Sequence, residues 1–170
     1  SGIDWKRTIS AVVFLGKRGG ASTITQQLAR QLFVGVRSRN ISEAIIQKVK
    51  EWVLSVQLER RYTKKEIIAM YLNIYDFGYN ADGIRSAAKI FFNTTPKKLK
   101  IEQSATLIGM LKNSSYYNPL RRPDLVKSRR NSVFKQMQRN GFLSKHIADS
   151  LSQTNLEIDY TPESHREGLA

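Results

Sequence analysis

Lys48 and Glu51 stand three residues apart in a run of helical period, so an ammonium and a carboxylate share one helix face with Gln47 and Ser55. Two chemistries fit that spacing. One is an ordinary surface ion pair, worth about a few tenths of a kcal/mol. The other makes Glu51 an acid/base or charge-stabilising group and Lys48 a phosphate anchor. Upstream, Thr23, Gln26, Gln27 and Arg30 recur at i, i+3, i+4 and i+7, which gathers their donors on one side of a helix. The loop Gly16-Lys17-Arg18-Gly19-Gly20-Ala21 precedes that helix, and Ser22 reads as its N-cap. Glycines at a helix N-terminus leave backbone N–H groups free to meet an anion such as phosphate or pyrophosphate. A solvated helix face with a serine cap fits the same residues. Two basic clusters, Arg60-Arg61 with Lys64-Lys65 and Arg121-Arg122 with Arg129-Arg130, read first as solubilising surface. His146 and His165 have no partner at ligand spacing and the chain has no cysteine, so no metal site, thiol nucleophile or cysteine-held zinc is assigned.

The elements that must carry these groups are helices, because apolar residues recur with a 3.6-residue period and sustained alternation is nearly absent. An amphipathic opening spans Trp5 to Leu15. The helix after Ser22 carries Ile24, Leu28 and Leu32 on its apolar face. Past the basic turn Arg37-Ser38-Arg39-Asn40, a long helix opening at Ser42 is expected to bury Ile45, Val49, Val53 and Val56. Thr63 with Glu66 forms a capping box for a helix ending near Asn73, and Tyr75 to Gly83 reads as a loop. Further helices are expected at Ile84 to Phe92, Ile101 to Lys112, Asp124 to Arg139 with Asn140-Gly141 as its stop, and from Ser144. Phe91-Phe92 and Tyr116-Tyr117 are read as core ahead of the alternative that they meet a lipid or base. Residues beyond Gln153 show no period and are expected to be extended or mobile.

Composition bounds the class. The 170 residues suit one all-α domain, with 41% hydrophobic and 25% charged residues typical of a folded globular chain. Lys and Arg outnumber Asp and Glu by 28 to 14, a net charge of +14, so an anionic partner is expected: nucleic acid, a lipid headgroup surface or a phosphorylated substrate. The longest apolar run, Ala11 to Leu15, falls far short of the roughly 20 residues that span a bilayer, which predicts a soluble or peripheral chain.

The motifs converge on one family. Gly20-Ala21-Ser22-Thr23-Ile24-Thr25-Gln26-Gln27 resembles the G-x-S-T-I-T-Q-Q signature of the peptidoglycan glycosyltransferase domain found in class A penicillin-binding proteins and monofunctional transglycosylases. Lys48-Val49-Lys50-Glu51 is similar to the K-x-x-E part of R-K-x-x-E, and Lys64 to Asn73 to K-x-x-I-L-E-x-Y-L-N. Arg129-Arg130-Asn131-Ser132-Val133-Phe134-Lys135-Gln136-Met137 resembles R-R-x-x-V-L-x-x-M, and Phe77-Gly78, Gly83-Ile84, Ala87-Ala88 and Tyr117-Asn118-Pro119 also follow the pattern. The likeness runs from Gly2 to about Ser152.

That resemblance implies an all-α, lysozyme-like glycosyltransferase domain over 1–153, with 154–170 an extended tail or linker toward a following domain. It implies polymerisation of lipid II into glycan strands, with inversion at the sugar carbon and release of undecaprenyl pyrophosphate, at the outer face of the bacterial cytoplasmic membrane. By resemblance Glu51 is catalytic, and Ser22, Gln26, Gln27, Arg30, Lys48, Lys64, Arg129 and Arg130 contact substrate. The implied partners are lipid II, the nascent glycan strand, the membrane surface, moenomycin-type inhibitors and a transpeptidase domain in the parent chain, with no nucleic acid. No cofactor is implied beyond a divalent cation such as magnesium at the pyrophosphate. The family's general base belongs to an E-D-x-x-F-x-x-H-x-G motif whose final glycine matches Gly2, so the domain is expected to be N-terminally truncated, lacking that motif, and inactive alone. Gln47 stands where the family has Arg, Glu43 where it commonly has a basic residue, and Ala69 where it has Glu; these soften the expected anion site. Three rivals remain: a scaffold that binds lipid II or glycan without turnover, a lysozyme-type hydrolase, and a basic helical nucleic-acid-binding domain.

Overall fold

The computed structural model describes residues 22–36 and 38–162. The expected opening helix, the Gly16–Ala21 loop, Arg37 and His165 lie outside the described residues. No strand occurs among the described residues, and the one β contact is an isolated antiparallel bridge between Asp76 and Asp82. The chain divides into two compact units, the first ending at Ile74 and the second opening at Tyr75.

In the first unit, α1 (Ile24–Ala29) runs directly into a π-helical turn, Arg30–Val34, which Gly35 ends at φ +76°. The N-cap of α1 is Thr23, one residue later than Ser22: its Oγ1 accepts from Gln26 N at 3.2 Å. Helix α2 (Ile41–Arg61) is capped by Asn40, whose Oδ1 accepts from the Ser42 N–H at 3.1 Å. Helix α3 (Lys64–Ile74) starts with the expected box, since Glu66 Oε2 accepts from Thr63 N at 2.7 Å while Thr63 Oγ1 accepts from Glu66 N at 3.3 Å. Helix α1 packs against both α2 and α3.

That packing inverts the expected orientation of α2. Glu51, Ser55 and Leu58 are its buried residues, whereas Ile45, Val49 and Val53 are about half exposed. Its neighbours present polar groups, so the polar stripe finds its partners inward. Helix α1 buries Leu28 as expected, but together with Thr25, Gln26 and Ala29, whereas Ile24 and, on the π turn, Leu32 are exposed.

In the second unit, a turn with Tyr79 and Asn80 at φ 57° and 62° leads into α4 (Gly83–Phe92). Helices α5 (Ile101–Met110), α6 (Pro123–Arg139) and α7 (Lys145–Gln153) follow. Ser144 caps α7, and α6 stops at Asn140, with Gly141 at φ +76°. Phe77, Ile90, Phe91, Leu107 and Met110 fill the larger core, and Val133, Phe134, Ala105 and Ala148 the smaller. Phe91-Phe92 is core as expected, but Tyr116 is exposed, with the Arg122 guanidinium 4.9 Å from its ring centre. Residues 154–162 are extended and tied down: Asp159 N donates to Phe91 O at 3.0 Å and Thr161 N to Ile90 O at 2.8 Å.

Candidate active site

In the first unit, one turn of α2 sets Lys48 and Glu51 on its inward face, with Lys48 Nζ 2.5 Å from Glu51 Oε2. Glu51 is only 6% exposed, so this is not the solvated ion pair its spacing also allowed. Taking two charges out of water is costly unless further hydrogen bonds satisfy them. Here Lys48 Nζ also donates to Ser22 Oγ at 2.9 Å. Because Thr23 takes the capping role, the Ser22 hydroxyl is left for this contact. An ammonium has three donors. Two are engaged, and Lys48 retains some exposure, so the third is available to an anion.

The support extends to α1 and α3. Gln27 Nε2 donates to the Ser22 carbonyl at 3.4 Å, and Gln27 Oε1 accepts from Tyr71 Oη at 2.9 Å. Ser22, Gln27, Lys48 and Glu51 are therefore brought together in one hydrogen-bonded group. Tyr71 joins them without having been singled out from the sequence; its signal was its place in the Lys64–Asn73 segment. Gln26, by contrast, is fully buried, and neither its Nε2 nor its Oε1 has a hydrogen-bond partner. Lys64 is exposed and lines a separate cleft of about 480 Å³ with Thr23, Thr25, Glu59, Tyr62 and Ile68. Arg30 is half-buried at the start of the π turn.

The departures from the family pattern also have positions. Gln47 Oε1 accepts from Ser38 N at 2.9 Å and its Nε2 donates to Val36 O at 3.1 Å, while Glu43 Oε2 accepts from Ser38 Oγ at 2.5 Å. Both side chains tie the segment before α2 to that helix, and Ala69 is exposed on α3.

Arg129 and Arg130 belong to the second unit. Arg130, expected at the substrate, is 1% exposed and has its guanidinium spent on the chain itself. It donates to the carbonyls of Thr154 at 2.7 Å, Asn155 at 3.0 Å and Leu151 at 3.4 Å, and to Asn131 Oδ1. Burial lowers its pKa, opposed by the Glu102 carboxylate. Arg129 donates to Gly109 O at 3.4 Å and stacks 5.7 Å from the Tyr117 ring centre. Among the described residues no three His, Cys, Asp or Glu converge on a metal-sized space.

An inward ammonium–carboxylate pair, held by a serine and a glutamine on an all-α scaffold, agrees with the motifs that first singled these residues out. A family description, Transglycosylase, matches residues 1–138, and the chain belongs to that family. It is 34% identical over 164 residues to penicillin-binding protein 2a of Streptococcus pneumoniae, covering 96% of this chain and 21% of that protein. Penicillin-binding protein 1A/1B of Bacillus subtilis is 43% identical over 148 residues, 84% of this chain and 16% of its own length. The chain thus spans about a fifth or less of the curated relatives it matches. The crystal structure of penicillin-binding protein 1A from Haemophilus influenzae superposes with a TM-score of 0.51 at 24% identity, over 81% of this chain and 17% of that one, which shows the shared fold.

Proposed function

We propose that the chain is a peptidoglycan glycosyltransferase domain that transfers the growing glycan strand onto lipid II, inverting the sugar carbon and releasing undecaprenyl pyrophosphate. The observation that carries this reading is the Lys48 ammonium, held between Ser22 Oγ and the buried Glu51 with one donor to spare. Charge that develops on a departing pyrophosphate is what a preorganised cation in a partly dry site stabilises best. In this reading Lys48 meets that charge. Glu51 keeps the Lys48 ammonium aimed, a charge-holding role. The Gln27–Ser22 contact fixes the near wall.

The proton of the acceptor hydroxyl is assigned to the general-base glutamate of the family's E-D-x-x-F-x-x-H-x-G motif. A magnesium ion would be carried by the pyrophosphate, since Glu51 is already paired with Lys48. The membrane surface is the proposed setting: Leu32, Phe33, Ile41, Ile45, Val49 and Val53 leave apolar surface exposed beside the basic Arg39 and Lys50. A transpeptidase domain elsewhere in the parent chain is proposed from the relatives' designation as penicillin-binding proteins.

The test is lipid II polymerisation by a protein that includes the E-D-x-x-F-x-x-H-x-G motif. Glu51→Gln is expected to lower turnover about 10²- to 10³-fold, and Lys48→Ala to lose pyrophosphate binding as well. Near-normal glycan from Glu51→Gln would remove the carboxylate from the mechanism. Lipid II binding without glycan from the unaltered protein would favour a scaffold.

A further inference from the structure

The glutamine that braces Ser22 has two different ends, and what sets their orientation lies on another helix. A carboxamide offers an acceptor oxygen and a donor nitrogen. The Ser22 carbonyl can only accept, so it takes the Nε2 end of Gln27, and Oε1 is turned toward α3. There the Tyr71 hydroxyl donates to it at 2.9 Å across 44 residues of sequence. Tyr71 is 2% exposed, so its ring is fixed by packing and its hydroxyl is held in place.

We propose, on the glycosyltransferase reading above, that Tyr71 is a positioning residue for the site. Its hydroxyl sets the Gln27 carboxamide, which holds the Ser22 backbone, which in turn presents the hydroxyl that aims Lys48. The hydrogen bond from Tyr71 Oη to Gln27 Oε1 is what carries its influence to the site. Without the phenol oxygen, Gln27 Oε1 loses its donor and the carboxamide is free to turn, so Ser22 loses one of its two anchors. Small displacements of a charge-stabilising group cost rate more than binding.

Tyr71→Phe keeps the buried ring and removes one oxygen. In the complete protein it is expected to lower kcat for lipid II about tenfold with KM unchanged within about twofold. The double variant with Gln27→Met is expected to be no slower than Gln27→Met alone. The Gln27 side-chain NH₂ signals in ¹H–¹⁵N spectra are expected to move and broaden in Tyr71→Phe. Losses that multiply in the double variant, a change confined to KM, or unmoved Gln27 signals would each overturn the proposal.

Should Tyr71→Phe fail to fold, Gln27→Glu, which keeps an acceptor toward Tyr71 and removes the donor toward Ser22, must show the same kcat-selective loss; unchanged kcat there overturns it too. An unaltered protein that makes no glycan defeats the glycosyltransferase reading, and the Gln27 signals then decide the role of Tyr71 by themselves.

Discussion

Gln26 and Gln27 are adjacent in sequence and have opposite fates. Gln27 lies between Tyr71 and Ser22 with both ends satisfied, while Gln26 points into the packed side of α1 with neither end satisfied. A buried amide without partners costs about 1–3 kcal/mol relative to an apolar group of the same shape. Gln26→Met is therefore expected to stabilise the fold by about 1–2 kcal/mol in urea unfolding; a loss of stability would show that the amide has a ligand or water to meet. Arg130 is the opposite case, a buried cation with every nitrogen engaged. Arg130→Met leaves three carbonyls without their donor and is expected to cost about 3 kcal/mol. Residues 154–162 should then become open to protease, and unchanged cleavage would contradict the clasp.

At the scale of elements, α3 depends on a local device. The Glu66 carboxylate accepts from the Thr63 N–H and hydroxyl, and these bonds hold its pKa below the ordinary 4.5, against a small opposing effect of burial. A carboxylate whose folded pKa is depressed contributes its full stability above the unfolded value and loses it as pH falls through the folded one. Melting temperature should thus decline on the acid side of about 4.5, and part of that decline should be missing from Thr63→Ala/Glu66→Gln. An identical acid limb in the double variant would show that the box carries none of it. The segment before α2 is a second such device: Gln47 and Glu43 hold Val36 and Ser38, so Gln47→Arg would free Val36 O and Ser38 N as it restores the family's residue.

Considered whole, the chain combines a net charge of +14 with exposed apolar residues on α1's π turn and α2, and among the described residues no helix is long and apolar enough to cross a membrane. On the membrane-surface reading, binding to vesicles containing anionic phosphatidylglycerol should exceed binding to neutral ones and weaken with salt. Val49→Asp with Val53→Asp should reduce it about tenfold by removing apolar contact. Equal binding by that variant would place the contact elsewhere.

The sequence alone determined the helical class, the capping of α3, the start of α7 at Ser144, the stop at Asn140-Gly141 and the family, because period, caps and ordered motifs are local and survive without a neighbour. It also brought Lys48, Glu51, Ser22 and Gln27 forward as candidates. Which face of α2 turns inward was decided only by the tertiary structure. A helical wheel separates the Val49 stripe from the Glu51 stripe, but burial depends on what the neighbouring helices offer, and here they offer Ser22 and a Gln27 held by Tyr71. The same limit hid the fates of Arg130 and Gln26. Side chains that look like anion contacts in a motif become a clasp or an orphan once the surrounding carbonyls and helices are in place, since partners distant in sequence set whether a polar group is satisfied, spare or spent.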